Sequence, residues 1–131
     1  MNLLSLRIIT ADIKRLVQFY ENTLGLPVTW YTEDFAEIIT EKATLAIGST
    51  RTLAVFGGEI AQPASNKSII IEFRVDDVDA EYENIKAMTS DIVQPPTTMP
   101  WGNRSLLFRD PDGNLINFFA PVTAEAISKF S

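Results

Sequence analysis

Two hydrophobic periods alternate along this chain. Residues 3–9 read as a strand, with Leu4, Leu6 and Ile8 on one face and Ser5, Arg7 and Ile9 on the other. Asp12 can cap a helix, because a carboxylate there accepts from the free amides of the first turn. Ile13, Leu16, Val17, Tyr20 and Leu24 then recur at helical spacing, and Gly25 supplies a C-terminal stop. Three strand-like stretches follow at residues 28–33, 35–40 and 44–47, and a further short strand is expected over 51–56. Residues 57–67 are polar or small and contain Pro63, so they read as a connection.

After residue 67 the pattern restarts. A strand is expected over 69–75, followed by Asp77 as a cap and a helix carried by Val78, Tyr82, Ile85 and Met88 that ends near Thr89. Gln94-Pro95-Pro96 is expected to break the chain. Residues 104–109 and 114–119 read as a hairpin around Asp110-Pro111-Asp112-Gly113, where proline and glycine suit a tight turn. The segment from Arg7 to Ile13 matches that from Glu72 to Val78 at a constant offset, so strand, helix and strands occur twice. The expected class is α+β, one domain over 1–131 built of two βαβββ modules, each too small to close its own core. The boundaries are about 1–57 for module one, 58–67 for a linker, 68–122 for module two and 123–131 for a short tail.

Composition narrows the chemistry. The 131 residues are 46 % apolar and 21 % charged, a globular balance. No run of about 18 apolar residues occurs, and Met1 leads directly into a strand-like segment, so no membrane span or signal peptide is expected. A net charge of −6 with eleven scattered Lys and Arg argues against nucleic acid as a partner. There is no cysteine, which removes disulfides, thiolate metal sites and a cysteine nucleophile, and a reducing cytoplasm is the simplest location. There is no histidine either, so Ser-His-Asp catalysis is excluded and the common transition-metal sites lose their best ligand.

Three segments, LRIITADIKRLVQFYENTLGLPV, SIIIEFRVDDVDAEYENIK and WGNRSLLFRDPDGNLINFF, resemble the vicinal oxygen chelate family, which includes glyoxalase I, bleomycin-resistance proteins, extradiol dioxygenases and methylmalonyl-CoA epimerase. The resemblance runs through nearly the whole chain, with residues 48–67 the least typical part. It implies a fold in which the curved sheets of two βαβββ modules form half-open barrels. Metal-using members hold their ion with up to four side chains on strands lining the barrel. Those positions fall here on Ser5, seven residues before Asp12; on Ile70, seven before Asp77; on Asn117, after the DPDG turn; and on Ala46. Ile70 and Ala46 carry no donor, and Ser5 and Asn117 offer only neutral oxygens, so no metal and no other cofactor are expected.

Arg7 and Glu72 each stand two residues beyond one of these positions, on the same side of their strands. They read either as a charged pair gripping a ligand or as an internal ion pair that satisfies itself. Glu72 is also the candidate general base if catalysis occurs. Trp30, Tyr31, Phe56, Trp101 and Phe119 are large aromatics expected near the cavity, where they would either stack on a flat ligand or fill the core. Trp101 follows Pro95, Pro96 and Pro100 and precedes Gly102, on a loop that could close over a pocket. Asp110, Asp112 and Asn114 are explained by turn chemistry rather than by calcium, and the acidic run from Asp76 to Glu83 by the start of a helix.

Two functions remain. One is a metal-free binding protein that holds a small aromatic or cationic compound such as an antibiotic. The ligand-binding set would be Ser5, Arg7, Trp30, Ala46, Phe56, Ile70, Glu72, Trp101, Asn117 and Phe119. Bleomycin-resistance proteins, which the chain resembles in lacking metal ligands, sequester their antibiotic as homodimers with pockets between subunits, so a homodimer is expected. The other is a divergent lyase, epimerase or dioxygenase relying on a carboxylate such as Glu72.

Overall fold

The computed structural model describes all 131 residues. They form two compact units, one of Met1–Asn66 with Pro111–Gly113, the other of Lys67–Asp110 with Asn114–Ser131. Each contains one βαβββ module and one four-stranded mixed sheet.

In the first unit, β1 (Ser5–Thr10) leads into α1 (Ile13–Leu24), then β2 (Thr29–Thr32), β3 (Phe35–Ile39) and β4 (Thr44–Ser49). Asp12 caps α1 by accepting from the Arg15 amide at 3.2 Å, and Gly25 ends it at φ 64°, where its N–H donates to the Glu21 carbonyl. The sheet order is β1-β4-β3-β2, with β1 parallel to β4 and the other pairs antiparallel. Register assigns the faces. Leu6, Leu45 and Ile38 form one row, and Ile8, Ile47, Ala36 and Trp30 the next. These rows carry buried Ile38, Leu45 and Ile47 and make the core with Ile13, Leu16, Val17 and Tyr20 of α1. Burying each such side chain contributes roughly 1.5–3 kcal/mol, which is what holds α1 on the sheet.

The second unit repeats the plan with β5 (Ile70–Arg74), α2 (Val78–Met88), β6 (Ile92–Thr98), β7 (Asn103–Arg109) and β8 (Leu115–Pro121), in sheet order β5-β8-β7-β6. Asp77 caps α2 by accepting from the Ala80 amide at 3.1 Å. Ile71, Ile116 and Phe108, then Phe73, Phe118 and Leu106, form the rows on the α2 side. There Val78 and Ile85 are buried, and Phe118 meets the edges of Phe108 and Phe73 at 5.0 and 5.9 Å.

Two expectations are corrected. Residues 51–56 are not a strand but lie in a 3-10 helix, Thr50–Phe56. The Ser49 hydroxyl accepts from the Arg51 amide and Thr52 donates to the Ser49 carbonyl, and these two bonds close the chain into a tight helix as it leaves β4. Pro95 and Pro96 do not break the chain; they lie inside β6. That strand is at the sheet edge and its register slips between Gln94 and Thr97, so the missing proline N–H groups cost no ladder bond. Thr123 caps α3 (Ala124–Lys129) by accepting from the Ala126 amide. Phe130 then lies 5.4 Å from the Phe119 ring, and its carbonyl accepts from Arg74 at 2.9 Å.

Candidate functional site

The face of each sheet that does not pack on its helix carries the candidate residues. In the first unit, Arg7, Ala46 and Glu37 form one row of that face, and Ile9, Gly48 and Phe35 the next. Ser5 stands at its start, opposite Thr44. The Arg7 guanidinium carbon lies 5.1 Å from the Phe35 ring centre and 6.0 Å from that of Phe56. Asp34 positions Phe56: its carboxylate accepts from the Ser49 hydroxyl at 2.7 Å and from Arg51 at 2.6 and 2.7 Å, fixing the start of the 3-10 helix that ends in Phe56. Arg51 and the Ser49 hydroxyl hold the Asp34 carboxyl below its ordinary range. The Arg7 side chain makes no ion pair or hydrogen bond within the protein.

Trp30 is on the other side of this sheet, in the row of Ala36, Ile47 and Ile8. Tyr31, the next residue along β2 and so on the opposite face, has its ring 6.0 Å from that of Phe35, and its hydroxyl is near Glu37. The bond to Glu37 and its negative charge raise the Tyr31 pKa above the usual phenol value. Phe35, Glu37 and Tyr31 therefore join Arg7 and Phe56. Alternation along residues 35–39 could have found Phe35 and Glu37, and alternation along 29–32 puts Tyr31 on the face opposite Trp30.

In the second unit the corresponding row is Glu72, Asn117 and Leu107, flanked by Ile70 with Leu115 and by Arg74 with Phe119 and Ser105. Asn117 donates from Nδ2 to Glu72 Oε2 at 2.8 Å, while its Oδ1 is buried with no partner. Glu72 is exposed and makes no ion pair. Phe119 packs on Phe130 of the tail. Trp101, 66 % exposed, is apart from this row, at a small cavity of about 240 Å³ lined by Asn103, Glu125, Ala126, Lys129 and Phe130. A larger cleft of about 550 Å³ in the first unit, beside Arg51, Leu53 and Pro63, contains none of the candidate residues.

The donor set at Ser5, Ala46, Ile70 and Asn117 does not suit a divalent ion. Two of the four have no donor atom, and no three acidic side chains gather anywhere to hold a metal. No helix is long and apolar enough to cross a membrane.

Comparison with known proteins agrees with this architecture. Residues 2–118 match the model of the Glyoxalase/Bleomycin resistance protein/Dioxygenase superfamily. The chain is 30 % identical over 126 residues to the uncharacterized protein YraH of Bacillus subtilis (strain 168), covering 91 % of this chain and 98 % of that one. It is 27 % identical over 123 residues to the bleomycin resistance protein of Geobacillus stearothermophilus, covering 85 % of this chain and 90 % of that one. A crystal structure of a glyoxalase/bleomycin resistance protein/dioxygenase family enzyme from Burkholderia phytofirmans PsJN superposes with a TM-score of 0.83 at 17 % identity, over 93 % of this chain and all (100 %) of that one, a likeness of fold. Two βαβββ modules in the expected order, matched through nearly their whole length, show that the chain belongs to the glyoxalase/bleomycin resistance protein/dioxygenase superfamily.

Proposed function

We propose that this protein binds a small molecule with a flat, apolar body, without the help of a metal ion, in the manner its kinship with bleomycin resistance proteins suggests. The observation that carries this reading is the chemistry of the inner row of the second unit. Asn117, at a position expected for a metal ligand, is engaged with Glu72, and its neighbours Ile70 and Phe119 are apolar. The exposed Glu72 carboxylate suits a cationic or donor-bearing group, and Phe56 and Tyr31 in the first unit offer exposed faces for stacking. In the first unit Arg7, Ser5 and Ala46 share the proposed surface, with Trp30 on the opposite side of the sheet, while Trp101 of the second unit stands apart from that unit's row, and we take the working form to be a homodimer in the cytoplasm.

The test is metal content of the purified protein, followed by thermal melts with Ni²⁺, Zn²⁺, Mn²⁺ and Fe²⁺ and a fluorescence screen of aromatic compounds, cationic and anionic alike. A ligand that binds only the folded state raises the melting temperature by mass action. Absence of bound metal, no shift with any ion, and at least one compound that quenches tryptophan support the reading; stoichiometric metal or a clear shift with one ion overturns it. A catalytic reading has one observation in its favour, the hydrogen bond by which Asn117 orients the Glu72 carboxylate. Turnover abolished by Glu72→Gln would establish it.

A further inference from the structure

We infer that Arg7 is the anchor for a carboxylate on the bound molecule, an inference that rests on the small-molecule-binding reading above. An exposed arginine on most surfaces is a mobile solvated chain. Arg7 is different in being seated over Phe35 and beside Phe56, at 5.1 and 6.0 Å, on the sheet face that does not pack on α1. A guanidinium held by the charge of neighbouring ring faces still has its N–H donors to offer, and no group in the protein accepts from them. The planar fork of N–H donors matches a carboxylate with two parallel bonds.

The neighbours decide the charge and shape of the occupant. Glu37 shares the row of Arg7 with Ala46 between them, so the two are separated by two strand spacings, roughly 9–10 Å, and do not pair. The group that Glu37 influences is the Tyr31 hydroxyl, whose pKa it raises. One free cation with one carboxylate nearby suits a monoanion, whereas the second charge of a phosphate monoester would meet Glu37 without compensation. Between Arg7 and Glu37 the strand presents only the Ala46 methyl, while Phe35, Tyr31 and Phe56 stand around them. A carboxylate carried on an aromatic ring fits that arrangement: the anion meets Arg7 and the ring meets the aromatic faces.

The test compares 1-naphthoate, 1-naphthamide and 1-naphthyl phosphate by isothermal titration on the wild-type chain and on Arg7→Gln and Arg7→Lys. Circular dichroism confirms that the variants fold, as an exposed position predicts. Naphthoate should bind wild type at least about tenfold tighter than naphthamide, a ratio that corresponds to one charged, two-bonded contact. The ratio should collapse to near one in Arg7→Gln and be partly kept in Arg7→Lys. Equal binding of naphthoate and naphthamide to wild type would overturn the carboxylate anchor and leave the binding reading standing. A preference for naphthoate that survives Arg7→Gln, tighter binding of the phosphate, or no binding of naphthoate would also overturn it; in the last case the compound screen separately decides the binding reading.

Discussion

Asn117 donates one N–H of its side-chain amide to Glu72 Oε2 at 2.8 Å, and its Oδ1 is buried, on the strand paired with Leu107, with nothing to accept. Turning the amide over would set oxygen against carboxylate, so the orphan is built into the pair. A buried acceptor without a partner costs about 1–3 kcal/mol.

Asn117→Leu should therefore leave the fold intact and raise stability by about 1 kcal/mol, since it removes the orphan and releases only an exposed carboxylate. For a chain of this size that is a rise of a few degrees in Tm, read by calorimetry. A fall in Tm would make Asn117 a structural residue.

Gly102 has φ 93°, and a Cβ placed there would stand 2.1 Å from the Thr123 hydroxyl, at the cap of α3. Its carbonyl also accepts from the Val122 and Thr123 amides. Gly102→Ala should cost more than about 2 kcal/mol and loosen the C-terminal helix. Gly113, at φ 84° in open space, suffers the backbone strain alone, so Gly113→Ala should cost less. Urea unfolding of the two variants checks the order.

Phe118 is 1 % exposed and meets two other rings edge-on. Phe118→Ala should lose about 3–5 kcal/mol, the combined effect of lost burial and the cavity left behind. Phe56→Ala, at a half-exposed position over Arg7, should change stability by less than about 1 kcal/mol and weaken naphthoate binding instead. Urea unfolding beside the titration separates the two effects.

Arg104 clasps Asp79 with two bonds of 2.8 and 2.9 Å and lowers its pKa below the ordinary carboxylate value. A carboxyl group with a depressed folded-state pKa contributes stability above its unfolded pKa, and loses it as pH falls through the folded value. Tyr31 behaves in the opposite sense: its raised pKa gives stability that is present below the ordinary phenol value and lost as pH rises through the folded one. Carbon-detected NMR titration should show the Asp79 carboxyl titrating low and returning upward in Arg104→Gln. Ultraviolet titration against Tyr31→Phe should show one phenol ionising late and moving down in Glu37→Gln.

By itself the sequence determined the doubled βαβββ order, because strand and helix periods, the caps at Asp12 and Asp77 and the turn at residues 110–113 are all local signals. It also determined which atoms stand at Ser5, Ala46, Ile70 and Asn117, and hence the mismatch with a metal, since composition cannot be altered by folding. Pairing across strands decided the rest. Pairing with β3 set Trp30 opposite Ala36 on the helix side and left Tyr31 on the other face with Phe35 and Glu37. Edge position let Pro95 and Pro96 into β6, and Ser49 turned an expected strand into the 3-10 helix that brings Phe56 to Arg7. These are contacts between residues distant in the chain, and a one-dimensional pattern holds no record of which of them will meet.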